Sequence, residues 1–172
     1  VCVYTIEHTE QVPRAVNLIL NSAYFLATVL TCSVIVLYLC YLILEHVYDK
    51  RHLRWASLCI SGATLGYLLL VLWNLSSGVL FSFDPAGNYR RGPLNRIGYA
   101  LMAAELLLLA VCYVQNRASV NRPMVKLMHM LPPLAICLTA FQLAYPQILL
   151  NGMMMAMADL ILFISFQSSR IE

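Results

Sequence analysis

Two long stretches without a charged residue or histidine dominate the polarity pattern, Ala15 to Leu44 and Trp55 to Phe83. A helix needs about 20 predominantly apolar residues to cross a bilayer, so each stretch is long enough for a span. Polar clusters punctuate the rest: EHVYDKRHLR (Glu45 to Arg54), FSFDPAGNYRRGPLNRIGY (Phe81 to Tyr99), QNRASVNRPMVK (Gln115 to Lys126) and the short Tyr145-Pro146 break. The alternation predicts an all-α transmembrane bundle of five spans, at about residues 16–44, 56–80, 94–113, 127–145 and 147–166. The Phe81–Tyr99 segment reads as a polar loop between the second and third spans. In Asp84-Pro85-Ala86-Gly87 the Asp caps the turn, Pro presets φ and Gly closes it. Pro93 suits the first turn of the next helix. Pro132-Pro133 is expected to kink the fourth span and free backbone carbonyls inside the membrane.

The chain is 61% hydrophobic and 11% charged, with mean hydropathy +0.75. A soluble domain is about 25% charged, and its helices need a wet polar face that these segments lack. A net charge of +3 without a dense basic run gives no support to nucleic-acid binding. Lys50, Arg51, Arg54, Arg117, Arg122, Lys126 and Arg170 fall on one side of a five-span arrangement, and Arg14, Arg90, Arg91 and Arg96 on the other. The positive-inside rule then places the C-terminus in the cytoplasm and the Phe81–Tyr99 loop outside. The opening VCVYTI has no signal-peptide character and reads as the tail of a further span upstream. The closing QSSRIE carries no helix stop, so the last helix is expected to run on into a following domain.

Glu105 and Asp159 are the sharpest chemical features. An ionisable group at the bilayer centre costs roughly 2.5–3.5 kcal/mol on insertion scales. No Lys or Arg lies inside a span to pair with either. Each is therefore expected to face the bundle interior, protonated or bonded to Asn, Ser or Tyr, since burial disfavours the charged form. Three roles stay open for them: holding a polar or cationic group of a ligand, hydrogen-bonding helix to helix, or serving a proton or cation path. Asn21, Tyr24, Trp73, Asn74 and Gln142 lie in the outer halves of their spans. With Glu105 they either line a cavity open to the outside or pack helix against helix. Arg90 and Arg91 either recruit an anionic group or are ordinary exposed charges. Gly62 and Gly66 form a small-xxx-small pair that permits close helix contact.

The remaining chemistry is bland. The cysteines show no CxxC pair or metal spacing and behave as small hydrophobes. Met153, Met154, Met155 and Met157 read as flexible packing rather than copper ligands. The lysines lie at the membrane edge, where no retinal Schiff base forms, and His46 and His129 share one edge instead of facing each other across a haem. No phosphate loop, catalytic triad or metal motif occurs, so neither an enzyme nor a cofactor is expected.

LNSAYF (Leu20 to Phe25), FSFDPAGNYRRGPL (Phe81 to Leu94) and ILFISFQSSRIE (Ile161 to Glu172) resemble the multispanning sensor region that precedes GGDEF diguanylate cyclase domains in Gram-positive bacteria. Similar regions also precede histidine kinases. No GGDEF segment occurs within these residues. The resemblance implies a signal-input domain in a bacterial cell membrane. It would bind a small molecule from outside or from the bilayer, and regulate a C-terminal cytoplasmic output domain through a homodimer formed in the output region. The rival readings are a small-solute or proton/cation transporter or channel, and a passive membrane anchor. The transporter reading lacks an inverted repeat and a second interrupted span.

Overall fold

The computed structural model describes residues 12–45, 50–84, 88–120, 122–144 and 156. Their elements are α1 (Arg14–Glu45), α2 (Lys50–Ser77), β1 (Phe81–Phe83), β2 (Tyr89–Arg91), α3 (Ile97–Asn116) and α4 (Arg122–Ala144). The chain is mostly helical, and α1, α2 and α3 are long and apolar enough to cross a membrane. The fifth expected span and Asp159 lie outside the described residues.

The helices follow from apolar runs and end where the runs are broken. α2 stops at Ser77 because Gly78 takes a left-handed φ of 67°. That conformation is nearly cost-free only for glycine. The Gly78 amide still reaches back to the Asn74 carbonyl at 3.0 Å, which closes the last turn. Val79 to Phe83, expected as the end of the second span and its loop, instead lead into a β-hairpin. Pro93 lies in the turn before α3, which begins at Ile97. The assigned helix α4 continues through Pro132 and Pro133. Neither proline can donate to the carbonyl four residues back, so the Met128 and His129 carbonyls lose their ordinary helical partners.

α1 is the central helix and packs along both α2 and α3, which meet each other only sparsely. Its C-terminal half shares one core with the other three helices: Val36, Leu39, Cys40 and Ile43 meet Ile60, Leu109, Met124, Leu127, Met128 and Leu131. Its N-terminal half shares a second core with α2 and the hairpin, built on Val29, Tyr67, Val71, Leu80, Phe81 and Phe83.

Around these apolar cores, large apolar side chains also cover the helix surfaces and several polar ones are buried. Leu107 is 67% exposed, Leu58 65% and Val34 62%, while Asn17, Asn21, Ser22, Ser33, Asn74 and Glu105 are buried. Water would drive those aliphatic side chains inward at about 25 cal/mol per Å² of apolar surface. Lipid chains exert no such force, and polar groups then move to the inside where they find one another. The arrangement is compatible with a membrane protein.

Candidate functional site

The polar interior divides into two levels. The deeper one lies near mid-length of the three long helices and is built from one side chain of each. Ser33 of α1 hydrogen-bonds Glu105 Oε1 of α3 at 2.7 Å, and Thr64 Oγ1 of α2 lies 2.8 Å from Ser33 Oγ. Thr64 Oγ1 also lies 2.8 Å from the Ile60 carbonyl one turn back. Ser33 and Glu105 are each 3% exposed. The Cys32 thiol stands beside the carboxyl. Glu105 Oε2 is buried with no hydrogen-bond partner among the described residues. Every Lys, Arg and His of the described helices lies toward a helix end, so no described basic side chain neutralises a charge here.

The outer level closes one end of the bundle. β1 and β2 pair antiparallel with Phe81 opposite Arg91, Ser82 opposite Arg90 and Phe83 opposite Tyr89. Alternation along a strand puts Phe81, Phe83 and Tyr89 on one face. Phe81 is stacked between Phe25 of α1 (centroids 5.3 Å apart) and Tyr89 (5.8 Å), and Phe83 meets Tyr89 edge-on. Asn74 holds this hairpin down. Its Oδ1 accepts from Leu80 N at 2.7 Å and Phe81 N at 3.2 Å, and its Nδ2 donates to the Phe81 carbonyl at 3.2 Å. Asn95 donates to the Leu80 carbonyl at 3.0 Å and to the Tyr89 hydroxyl at 3.4 Å. Burial raises the Tyr89 phenol above its ordinary range, against the Asn95 hydrogen bond that pulls it down, so it stays a neutral hydroxyl. At the tip, the Asp84 carboxylate accepts from the Asn88 amide at 2.9 Å and meets Arg90 at 3.4 Å. That pair is solvent-exposed on the Arg side and contributes little.

The structure separates the residues singled out from sequence. Asn21 is buried, and its amide donates to the Asn17 carbonyl of its own helix at 2.9 Å. Tyr24 is half-buried and edge-on to Phe25. Trp73 is 57% exposed on the outer surface of α2, although Asn74 beside it is buried. Gln142 is in α4, with its side chain outside the described part of the structure. Twelve residues of helix separate Asn21 from Ser33, about 18 Å of rise. Glu105 is therefore at a different depth from Asn21, and the two do not share one small cavity.

Ser33 and Thr64 are the functional candidates that the sequence did not single out. The signal was present: a span carboxyl without a basic partner demands hydroxyls at matching depth on its neighbours. Among the described residues no group of three or more His, Cys, Asp or Glu side chains is placed to hold a metal ion. The Asn17 Oδ1, Ser22 Oγ and Tyr67 Oη atoms are also buried without partners among the described residues. The Tyr67 hydroxyl lies so close to Gly98 that a methyl there would approach it to 2.8 Å. No protein-family model, curated protein or solved structure matches this chain, so the reading of its function rests on the geometry of the two polar levels.

Proposed function

We propose that the chain is the membrane-embedded signal-input domain of a bacterial receptor. It comprises five spans, with the hairpin outside the cell and the C-terminal end in the cytoplasm. A small molecule arriving from outside or through the lipid favours one packing of the bundle. The last span passes the change to a C-terminal output domain of the diguanylate cyclase or histidine kinase kind, dimerised through that domain. The observation that carries this reading is the Ser33–Thr64–Glu105 node. It ties α1, α2 and α3 together at one point while leaving a carboxyl oxygen unpartnered. A ligand biases a bundle only by binding its two packings unequally, and a shared node on three helices is where such a difference acts on all of them.

Glu105→Gln in the natural full-length protein is expected to change the response of the output to ligand at least fivefold, the lower end of ordinary coupling, with expression and folding preserved. Loss of folding to the same extent as loss of response would leave the node as packing alone. Asp159→Asn is expected to behave in the same way.

The mid-span carboxyl also favours a second reading, a transporter or channel for protons, cations or small solutes. Flux into liposomes separates the two, because a receptor binds without translocating. If exchange of the whole region for an unrelated bundle left regulation intact, the domain would be a passive anchor.

A further inference from the structure

We infer that the bundle centre is a proton-binding site, in which Glu105 is a neutral acid heading a hydrogen-bonded chain through Ser33 and Thr64 to the Ile60 carbonyl. The inference rests on the node identified above and names what occupies it at rest. It comes from counting hydrogens. Three oxygen-to-oxygen approaches join the chain: Glu105 to Ser33 at 2.7 Å, Ser33 to Thr64 at 2.8 Å, and Thr64 to Ile60 O at 2.8 Å. Each is a hydrogen-bond distance, and giving each approach a hydrogen of its own, with the Thr64 hydrogen not shared between Ser33 and Ile60 O, takes three. The two hydroxyls supply one each, and the Ile60 carbonyl supplies none. The third comes from the carboxyl. With a proton on Oε1, Glu105 donates to Ser33, Ser33 to Thr64, and Thr64 to Ile60 O, each hydroxyl donating once and accepting once.

The same assignment explains the bare Oε2. In a neutral acid that atom is a carbonyl oxygen, and leaving it buried without a partner costs about 1–3 kcal/mol. In a carboxylate it would share an unpaired ionic charge, which costs several kcal/mol or more away from water. No compensating cation is close. Among the described residues, the titratable group beside the carboxyl is the Cys32 thiol of α1. α3 has no other charged residue, and the charges of α4 are confined to its first turns. Removing the proton reverses the chain: Thr64 donates to Ser33, Ser33 to Glu105, and Ile60 O keeps only its helical bond. The proton carried on α3 is thereby coupled to hydroxyl orientation on α1 and α2.

The test is infrared difference spectroscopy at pH 7 on the full chain in lipid, wild type against Glu105→Gln. An ordinary glutamate loses its proton near pH 4.3. The expected result is a carboxylic-acid carbonyl band in the wild type, at the high-frequency position of a carbonyl that accepts no hydrogen bond, and absent from Glu105→Gln. Ser33→Ala keeps the carboxyl and is expected to shift the same band, which provides the readout if Glu105→Gln does not fold. Paired carboxylate stretches in place of that band, or an acid band unmoved by either variant, would overturn the inference. Because the spectrum is read without ligand or output, such a failure would leave the receptor reading standing.

Discussion

Asn74→Ala is expected to cost about 3 kcal/mol or more of stability and to release the hairpin from the end of the bundle. The substitution strands the Leu80 and Phe81 amides, which Asn74 Oδ1 now accepts at 2.7 and 3.2 Å in a buried setting. Each buried donor left without a partner costs about 1–3 kcal/mol, and the Phe81 carbonyl loses a donor as well. Asn74→Asp keeps the acceptor but loses the donor to that carbonyl, so an intermediate loss is expected. Thermal unfolding in detergent or lipid, together with protease cutting at the hairpin, measures both effects. Cutting of Asn74→Ala no faster than of wild type would show that the aromatic stack holds the hairpin by itself.

The second large effect is expected at Gly92. A methyl group there would overlap the Val79 carbonyl and lie 2.7 Å from the Gly78 carbonyl. Those atoms are backbone and have no rotamer to yield. The same crossing carries the bonds from Gly92 N to Leu80 O at 2.9 Å and from Leu94 N to Val79 O at 3.0 Å. Forced overpacking costs typically about 1–3 kcal/mol, and Gly92→Ala is expected at or above the top of that range because the hairpin must shift as a unit. The internal control is Gly62→Ala or Gly66→Ala, where an added methyl meets nothing within 4 Å. Helix preference alone favours those changes by roughly 0.5–1 kcal/mol. Equal melting losses at Gly92 and Gly62 would contradict the packing described. A loss at Gly62 alone would mean that a second copy of the chain packs on that face.

Helices were the legible part of this sequence because uncharged runs and their polar breaks mark both type and approximate ends. α1 and α3 fall within a few residues of their expected positions, whereas α4 begins more than a turn earlier and α2 nearly two turns earlier, with Lys50, Arg51 and Arg54 in its first turns. The hairpin was not legible. Phe81 and Phe83 continue an apolar run, and only their pairing with Tyr89 and Arg91 reveals a strand. Asn74 shows the limit for the site. An asparagine near the outer end of a span suits a ligand pocket and a backbone clamp equally well, and the choice depends on where the chain returns after Gly78. Glu105 stood out from charge alone. Ser33 and Thr64 did not, because span hydroxyls usually bond their own helix, as Thr28 does with the Tyr24 carbonyl. Their role depends on contacts 72 and 31 residues apart in the chain.

The proposed architecture, a lipid-solvated bundle with the hairpin outside and the α1–α2 and α3–α4 turns inside, is tested most directly by thiol labelling in intact cells. Arg90 is 72% exposed by its side chain on the hairpin, and Arg117 is exposed in the turn after α3. Arg90→Cys and Arg117→Cys are each treated with a membrane-impermeant maleimide, with the labelling of the native cysteines subtracted. The account predicts labelling of Arg90→Cys in intact cells and of Arg117→Cys only after the membrane is opened. Labelling of Arg117→Cys from outside, or equal labelling of both in intact cells, would contradict it.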